Sequence, residues 1–189
     1  MKRVAIFASG SGTNAEYISK YFAKNSAIKV CLILSNKSDA GVLERAINLK
    51  IPTIVFDRHT FYKTNEIINH LLNHNIDLIV LAGFLWLVPM NILKEYKNRI
   101  INIHPALLPK FGGKGMYGHH VHQAVINAKE KKSGITIHFV NEQYDEGQII
   151  FQKEIDVLPD DTPDKLAARI HELEYEYFSK TIEKVVSEL

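Results

Sequence analysis

Apolar residues occur along the chain in short unbroken runs separated by amphipathic stretches. Residues 4–8 (VAIFA), 30–34 (VCLIL), 52–56 (PTIVF) and 77–81 (DLIVL) do not alternate with polar positions, as expected of strands covered on both faces of a parallel sheet. Between them the period changes to that of helices. Ile18 and Phe22 share a stripe after the first run, and Val42, Leu43, Ala46 and Ile47 form another after the second; a helix over 61–72 follows the third. A fifth run, RIINIH at 99–104, is stopped by Pro105, which has no N–H to give a ladder. Residues 119–128 are helical, with Val121, Ala124 and Val125 inward.

The pattern then changes. Over 133–140, Ile135, Ile137 and Phe139 alternate with Thr136 and His138, and after a short NEQYDEG link comes a second strand at 148–157. So short a link predicts an antiparallel pair. Thr162 and Pro163 have the form of an N-cap and first-turn proline, opening a last helix striped by Leu166, Ile170, Leu173 and Tyr177, with Phe178, Ile182 and Val185 beside it. The predicted fold is α/β: a three-layer, mainly parallel, Rossmann-like open sheet with an antiparallel C-terminal edge and a long closing helix. In such sheets ligands bind beyond the carboxyl ends of the strands.

With 189 residues, 46% hydrophobic and 23% charged, one soluble domain spanning 1–189 is expected. A net charge of +2, with both signs interspersed, gives no footprint for nucleic acid or a membrane surface. Cys31 is the single cysteine, which excludes an intrachain disulfide and fits a reducing compartment, the cytoplasm. The basic, apolar start MKRVAIFASGSG passes straight into a glycine turn and is too short for a signal peptide.

Candidate chemistry gathers at the predicted strand ends. Gly10 and Gly12 bend the chain into a helix start where backbone N–H groups, Thr13 and Asn14 could take an anion. The third glycine of a dinucleotide fingerprint and the lysine of a P-loop are missing, so a tight turn with an Asn or Thr cap is an equal alternative. The run of residues 84–88 (FLWLV) comes where a polar loop is due, either as an apolar wall for a flat ligand or as a loop packed into the core. Asn102 and His104 are two apart in a strand, so both leave from one face. A loop of about fifteen residues rich in glycine and proline follows them, long enough to imply function. Asp145 sits among turn formers, and Glu174 interrupts the apolar face of the last helix, where an unpaired charge is costly. It answers either to a salt bridge or to an amine-bearing ligand. His70 and His74 at i, i+4 lack the other ligands of a zinc site, so no metal is expected.

Taken together and in order, ASGSGTN, LAGFLWLVP, INIHPALLPKFGG, SGITIHFV and YDEGQII resemble the phosphoribosylglycinamide formyltransferases, folate-dependent enzymes of de novo purine synthesis. The resemblance implies that 10-formyltetrahydrofolate and glycinamide ribonucleotide are the small-molecule substrates of a monomer or homodimer. It implies Asn102, His104 and Asp145 as the catalytic set, with His104 a cationic donor to the oxyanion and Asp145 favouring its protonation. Gly12, Thr13, Asn14 and Glu174 would meet the nucleotide, Glu174 at its amino group. Leu85, Trp86, Leu87 and Val88 would line the folate pocket, facing Asn141, Tyr144 and Asp145, and Asn102 would also bind the folate. His120 and His138 would stand behind the reacting groups, and His120 and His122 fit the family's positions. Trp86 replaces a smaller or basic residue of many relatives, GMYG at 115–118 is extra, and the arginine near the folate tail has no clear equivalent, Arg58 being off register. A formyl-folate hydrolase or another formyltransferase of the fold is the nearest alternative, and a non-catalytic nucleotide-binding module the more distant one.

Overall fold

The computed structural model describes residues 1–189, which form one seven-stranded sheet in the order β3-β2-β1-β4-β5-β6-β7. Strands β1 (Lys2–Phe7), β2 (Ile28–Ser35), β3 (Thr53–Val55), β4 (Leu78–Leu81) and β5 (Ile100–His104) run parallel, and β6 (Lys132–Phe139) and β7 (Ile149–Asp156) complete an antiparallel edge. The sheet carries helices on both faces, and pleating divides each central strand between two cores. Val4, Ile6, Leu78, Val80 and Ile101 join α1 (Thr13–Phe22), α2 (Gly41–Asn48), α6 (His119–Asn127) and α7 (Pro163–Ser187) on one side. Ala5, Phe7, Ile79, Leu81 and Ile100 pack against α3 (Arg58–Lys63), α4 (Glu66–Asn73) and α5 (Met90–Glu95) on the other.

Helices cover both faces of the central parallel strands and the antiparallel edge is present, but β3, at the end of the sheet, leaves Thr53 and Val55 exposed rather than covered; Thr162 caps α7 by accepting from Lys165 N at 3.3 Å. Two further expectations differ. The single helix at 61–72 is two, because Thr64 is extended (φ −129°, ψ 170°) and its hydroxyl turns back to Thr60 O, while Asp57 caps the first piece through Thr60 N. The six-residue helix α5, begun at Pro89, has no apolar period long enough to predict it. Reversal of strand order beside β1 leaves the ends of β1, β4 and β5 opening on one cleft, the position expected of a ligand site.

Candidate active site

One cavity of about 760 Å³ lies across those strand ends, and it takes in the glycine turn, residues 85–88, the end of β5, the β6–β7 link and one face of α7. At the turn, Gly12 is the N-cap of α1 with φ +76°, and a Cβ there would lie 2.4 Å from Val42 Cβ. Only glycine fits this backbone and this approach. No side chain caps the helix, so the Asn or Thr cap offered as the alternative is not formed. The first-turn N–H groups are left free for an anion.

Asn14 is instead turned toward α7, where its Nδ2 donates to Glu174 Oε2 at 2.8 Å, and His171 Nδ1 donates to the same oxygen at 2.8 Å. Glu174 is 4% exposed. Both alternatives for this carboxylate are therefore met in part: it is paired with His171, yet it lines the cavity with its second oxygen unengaged. The hydrogen bond to Glu174, more than offsetting burial, raises the His171 pKa above its ordinary value.

The reacting end is built by register. Antiparallel pairing sets Asn102 opposite His138 and His104 opposite Thr136. His138 Nδ1 lies 2.8 Å from Phe139 O, and its Nε2 lies 3.1 Å from Asn102 Nδ2. The face that carries His138 is polar but buried, the histidine being 2% exposed. Asp145, at φ +58°, closes over this pair. Its Oδ1 lies 3.4 Å from Asn102 Nδ2 and 3.5 Å from His138 Nε2, and its Oδ2 accepts from Gly113 N at 2.9 Å and lies 3.5 Å from His104 Nδ1. His104 Nε2 donates to Phe111 O at 2.8 Å. The long loop is tied further by Leu108 N donating to Thr136 Oγ1 at 3.0 Å and by Thr136 Oγ1 donating to Ala106 O at 2.6 Å.

Electrostatics bear on the resting state of His104. Burial, which penalises the charged ring, outweighs the nearby Asp145 carboxylate and lowers the His104 pKa, so the resting imidazole is neutral at pH 7 rather than cationic. Burial also acts to raise the Asp145 pKa, but its contacts with the His138 and His104 imidazoles and with the Gly113 N–H together hold it below the usual carboxylate value. A neutral base therefore faces an anion that would stabilise it once protonated.

The apolar wall is anchored in the second core. Trp86 packs edge-on against Phe56 at 6.0 Å between centroids, and Arg58 lies 5.2 Å above its ring. Leu85 N donates to Ser9 Oγ, and Tyr62 Oη to Leu87 O. The other backbone polar groups from Leu85 O to Val88 bond to nothing within the chain, so they can read the edge of a flat heterocycle. Tyr144 and Asp145 line the opposite side.

Two expected residues stand elsewhere. Asn141 shapes its own turn by accepting from Gln143 N at 3.0 Å and does not line the cavity. His120 is exposed, edge-on to Tyr117, and also outside it. The cavity instead holds His122, buried at 2% exposure, and His171. His171 lies three residues before Glu174 on α7, a spacing that could have flagged it.

The formyl transferase family profile matches residues 2–182. A chloroplastic phosphoribosylglycinamide formyltransferase of Arabidopsis thaliana is 38% identical over 99% of this chain and 66% of that protein. The Bacillus subtilis phosphoribosylglycinamide formyltransferase is 36% identical over 98% and 95%. Among solved structures, that of the Bacillus halodurans phosphoribosylglycinamide formyltransferase superposes with a TM-score of 0.88 at 38% identity, covering 98% of this chain and 96% of that one. The chain thus spans 66% of the length of the Arabidopsis protein, 62% of that of a chloroplastic phosphoribosylglycinamide formyltransferase of Vigna unguiculata, and nearly all of the Bacillus subtilis protein.

Proposed function

The chain belongs to the formyl transferase family, and on that premise we propose that it transfers the formyl group of 10-formyltetrahydrofolate to the amino group of N1-(5-phosphoribosyl)glycinamide. The products are the N-formyl nucleotide and tetrahydrofolate, as in de novo purine synthesis. Residues 1–189 act as a single catalytic domain. No helix is long and apolar enough to cross a membrane, and the one thiol, Cys31, is free and buried, as suits action in the cytoplasm.

The observation that carries the reading is the meeting in one cavity of the Asn102–His104–Asp145–His138 cluster with a buried carboxylate, Glu174. Gly12 and the α1 N-terminus, with Thr13, receive the phosphate, and Glu174 holds the amino group. Residues 85–88 hold the pterin against Tyr144 and Asp145. The amine nitrogen attacks the formyl carbon, forming the C–N bond as the carbonyl π pair moves to oxygen. His104 takes the proton lost by the nitrogen, directly or through water, and Asp145 stabilises the imidazolium. Asn102 Nδ2 and the imidazolium donate to the oxyanion. Collapse breaks the bond to folate N10, which receives the proton from His104 as the carbonyl reforms. Asp145 remains ionised throughout.

Mixing the protein with 10-formyltetrahydrofolate and following deformylated folate tests this directly. Turnover that requires glycinamide ribonucleotide is the expected result. Turnover without it would identify a hydrolase, and no turnover with either would identify a binding module.

A further inference from the structure

His122 lies in the first turn of α6, yet it is 2% exposed and lines the cavity beside α7. Its neighbours on α6, Val121 and Val125, are equally buried and apolar, so a leucine or valine at 122 would complete the packing without polar cost. The imidazole instead makes no hydrogen bond within the chain, and its Nδ1 is sealed off without a partner. Nε2 is then the nitrogen left toward the cavity. Burial, reinforced by the nearby charges of His171 and His119, pushes the His122 pKa down to about 4, so the ring is neutral at pH 7. An orphaned N–H is costlier than a bare lone pair, which puts the single proton on Nε2. A neutral donor of this kind suits an uncharged oxygen; the anion and the amine already have the α1 N-terminus and Glu174.

We propose that His122 is a further substrate-binding residue, whose Nε2–H donates to an uncharged oxygen, amide carbonyl or ribose hydroxyl, of the amine-bearing nucleotide. This rests on the nucleotide reading above. The residue acts on selection of the nucleotide and leaves the folate half of the cavity alone, since the pterin wall is formed by residues 85–88 on the other side of β5.

Titration calorimetry separates the possibilities, with glycinamide ribonucleotide, ribose 5-phosphate and a non-reactive 10-formylfolate analogue as probes. His122→Phe keeps a flat ring and removes the donor; it should weaken glycinamide ribonucleotide binding by roughly tenfold or more and leave the folate analogue within about twofold of wild type. His122→Gln, which restores an N–H, should recover most of the loss. If ribose 5-phosphate weakens in parallel, the oxygen is a ribose hydroxyl; if only the full nucleotide weakens, it is the amide carbonyl. Unchanged nucleotide binding by His122→Phe would overturn the inference, as would a loss of both ligands that His122→Gln does not repair. A wild-type protein that takes the folate analogue but no nucleotide would overturn the parent reading, and this one with it.

Discussion

Asp145→Asn removes one charge from the reacting cluster and almost no volume, so it isolates what the carboxylate does. The bond from Gly113 N can persist on the amide oxygen, and the fold of the loop should survive. What is lost is the anion 3.5 Å from His104 Nδ1. At that distance and an effective dielectric of about 20, opposite unit charges attract by roughly 5 kcal/mol. In the resting enzyme His104 is neutral, so this energy is absent; it is present when the imidazole has taken the proton of the attacking amine. The loss therefore falls on the barrier, and kcat should drop by roughly three thousandfold, while KM for the nucleotide changes only a few-fold. The pH profile gives an independent check. Burial sets the His104 pKa below 6.5, so activity that needs the neutral ring falls as pH drops through a midpoint below 6.5. Asp145 raises the His104 pKa from that depressed value, so the variant's midpoint should move lower still. Steady-state deformylation of 10-formyltetrahydrofolate from pH 5 to 9 measures both quantities. A variant within tenfold of wild type, or a wild-type acid limb at or above 6.5, would refute the reasoning.

Three further outcomes are expected. Gly12→Ala puts a Cβ 2.4 Å from Val42 Cβ at a φ of +76°, which should cost about 2 kcal/mol, lower Tm by roughly 4–8 °C in a calorimetric scan and abolish phosphate binding at the turn. Glu174→Gln keeps an acceptor for Asn14 and His171 but removes the charge that meets the amine. KM for glycinamide ribonucleotide should rise at least about tenfold with KM for the folate unchanged; equal effects on both would argue that Glu174 is only structural. In the acid range His122 binds its proton in the unfolded chain near pH 6.5 but in the folded chain only near 4. Its contribution to stability is therefore intact above 6.5 and is lost as pH falls toward 4, by roughly 3 kcal/mol in full. His122→Phe should lose less stability than wild type in urea titrations between pH 7 and 4.5, and parallel losses would disprove the assignment.

Features decided within one element were legible in the sequence. Unbroken apolar runs identified β1, β2 and β4 because both faces of those strands are buried, and the two-residue spacing of Asn102 and His104 put both on one face before any partner was known. The closing helix was equally plain, since Thr162, Pro163 and a seven-turn apolar stripe agree. Features that depend on how elements meet were not legible. Nothing local says that β6 registers with Asn102 opposite His138, so the alternation of 133–140 gave His138 a polar side without showing that this side is buried against Asn102. Thr64 breaks the 61–72 helix by a hydroxyl bond to Thr60 that competes with the backbone ladder. The direction of the His104 pKa shift was not legible for a related reason: the carboxylate was visible in the sequence, while the burial that outweighs it is a property of the whole cleft.

The same distinction explains why the loop after β5 carries so many glycines and prolines. Its two ends are fixed by opposite sides of the cluster. Thr136 of β6 holds Ala106 and Leu108, His104 holds Phe111, and Asp145 of the β6–β7 link holds Gly113. Phe111 and Gly113 must take positive φ, 56° and 93°, for those bonds to form. The loop therefore connects the reacting groups to the residues that enclose them, and its path is set by the same Asp145 oxygen that faces His104 Nδ1. If that coupling is real, Gly113→Ala should act at a distance. Strain at φ +93° would pull the Gly113 N–H away from Asp145, raise the Asp145 pKa by removing a bond that lowers it, and reduce kcat with no side chain of the cluster altered. A Gly113→Ala enzyme with wild-type kcat would show that the loop encloses the site without setting its chemistry.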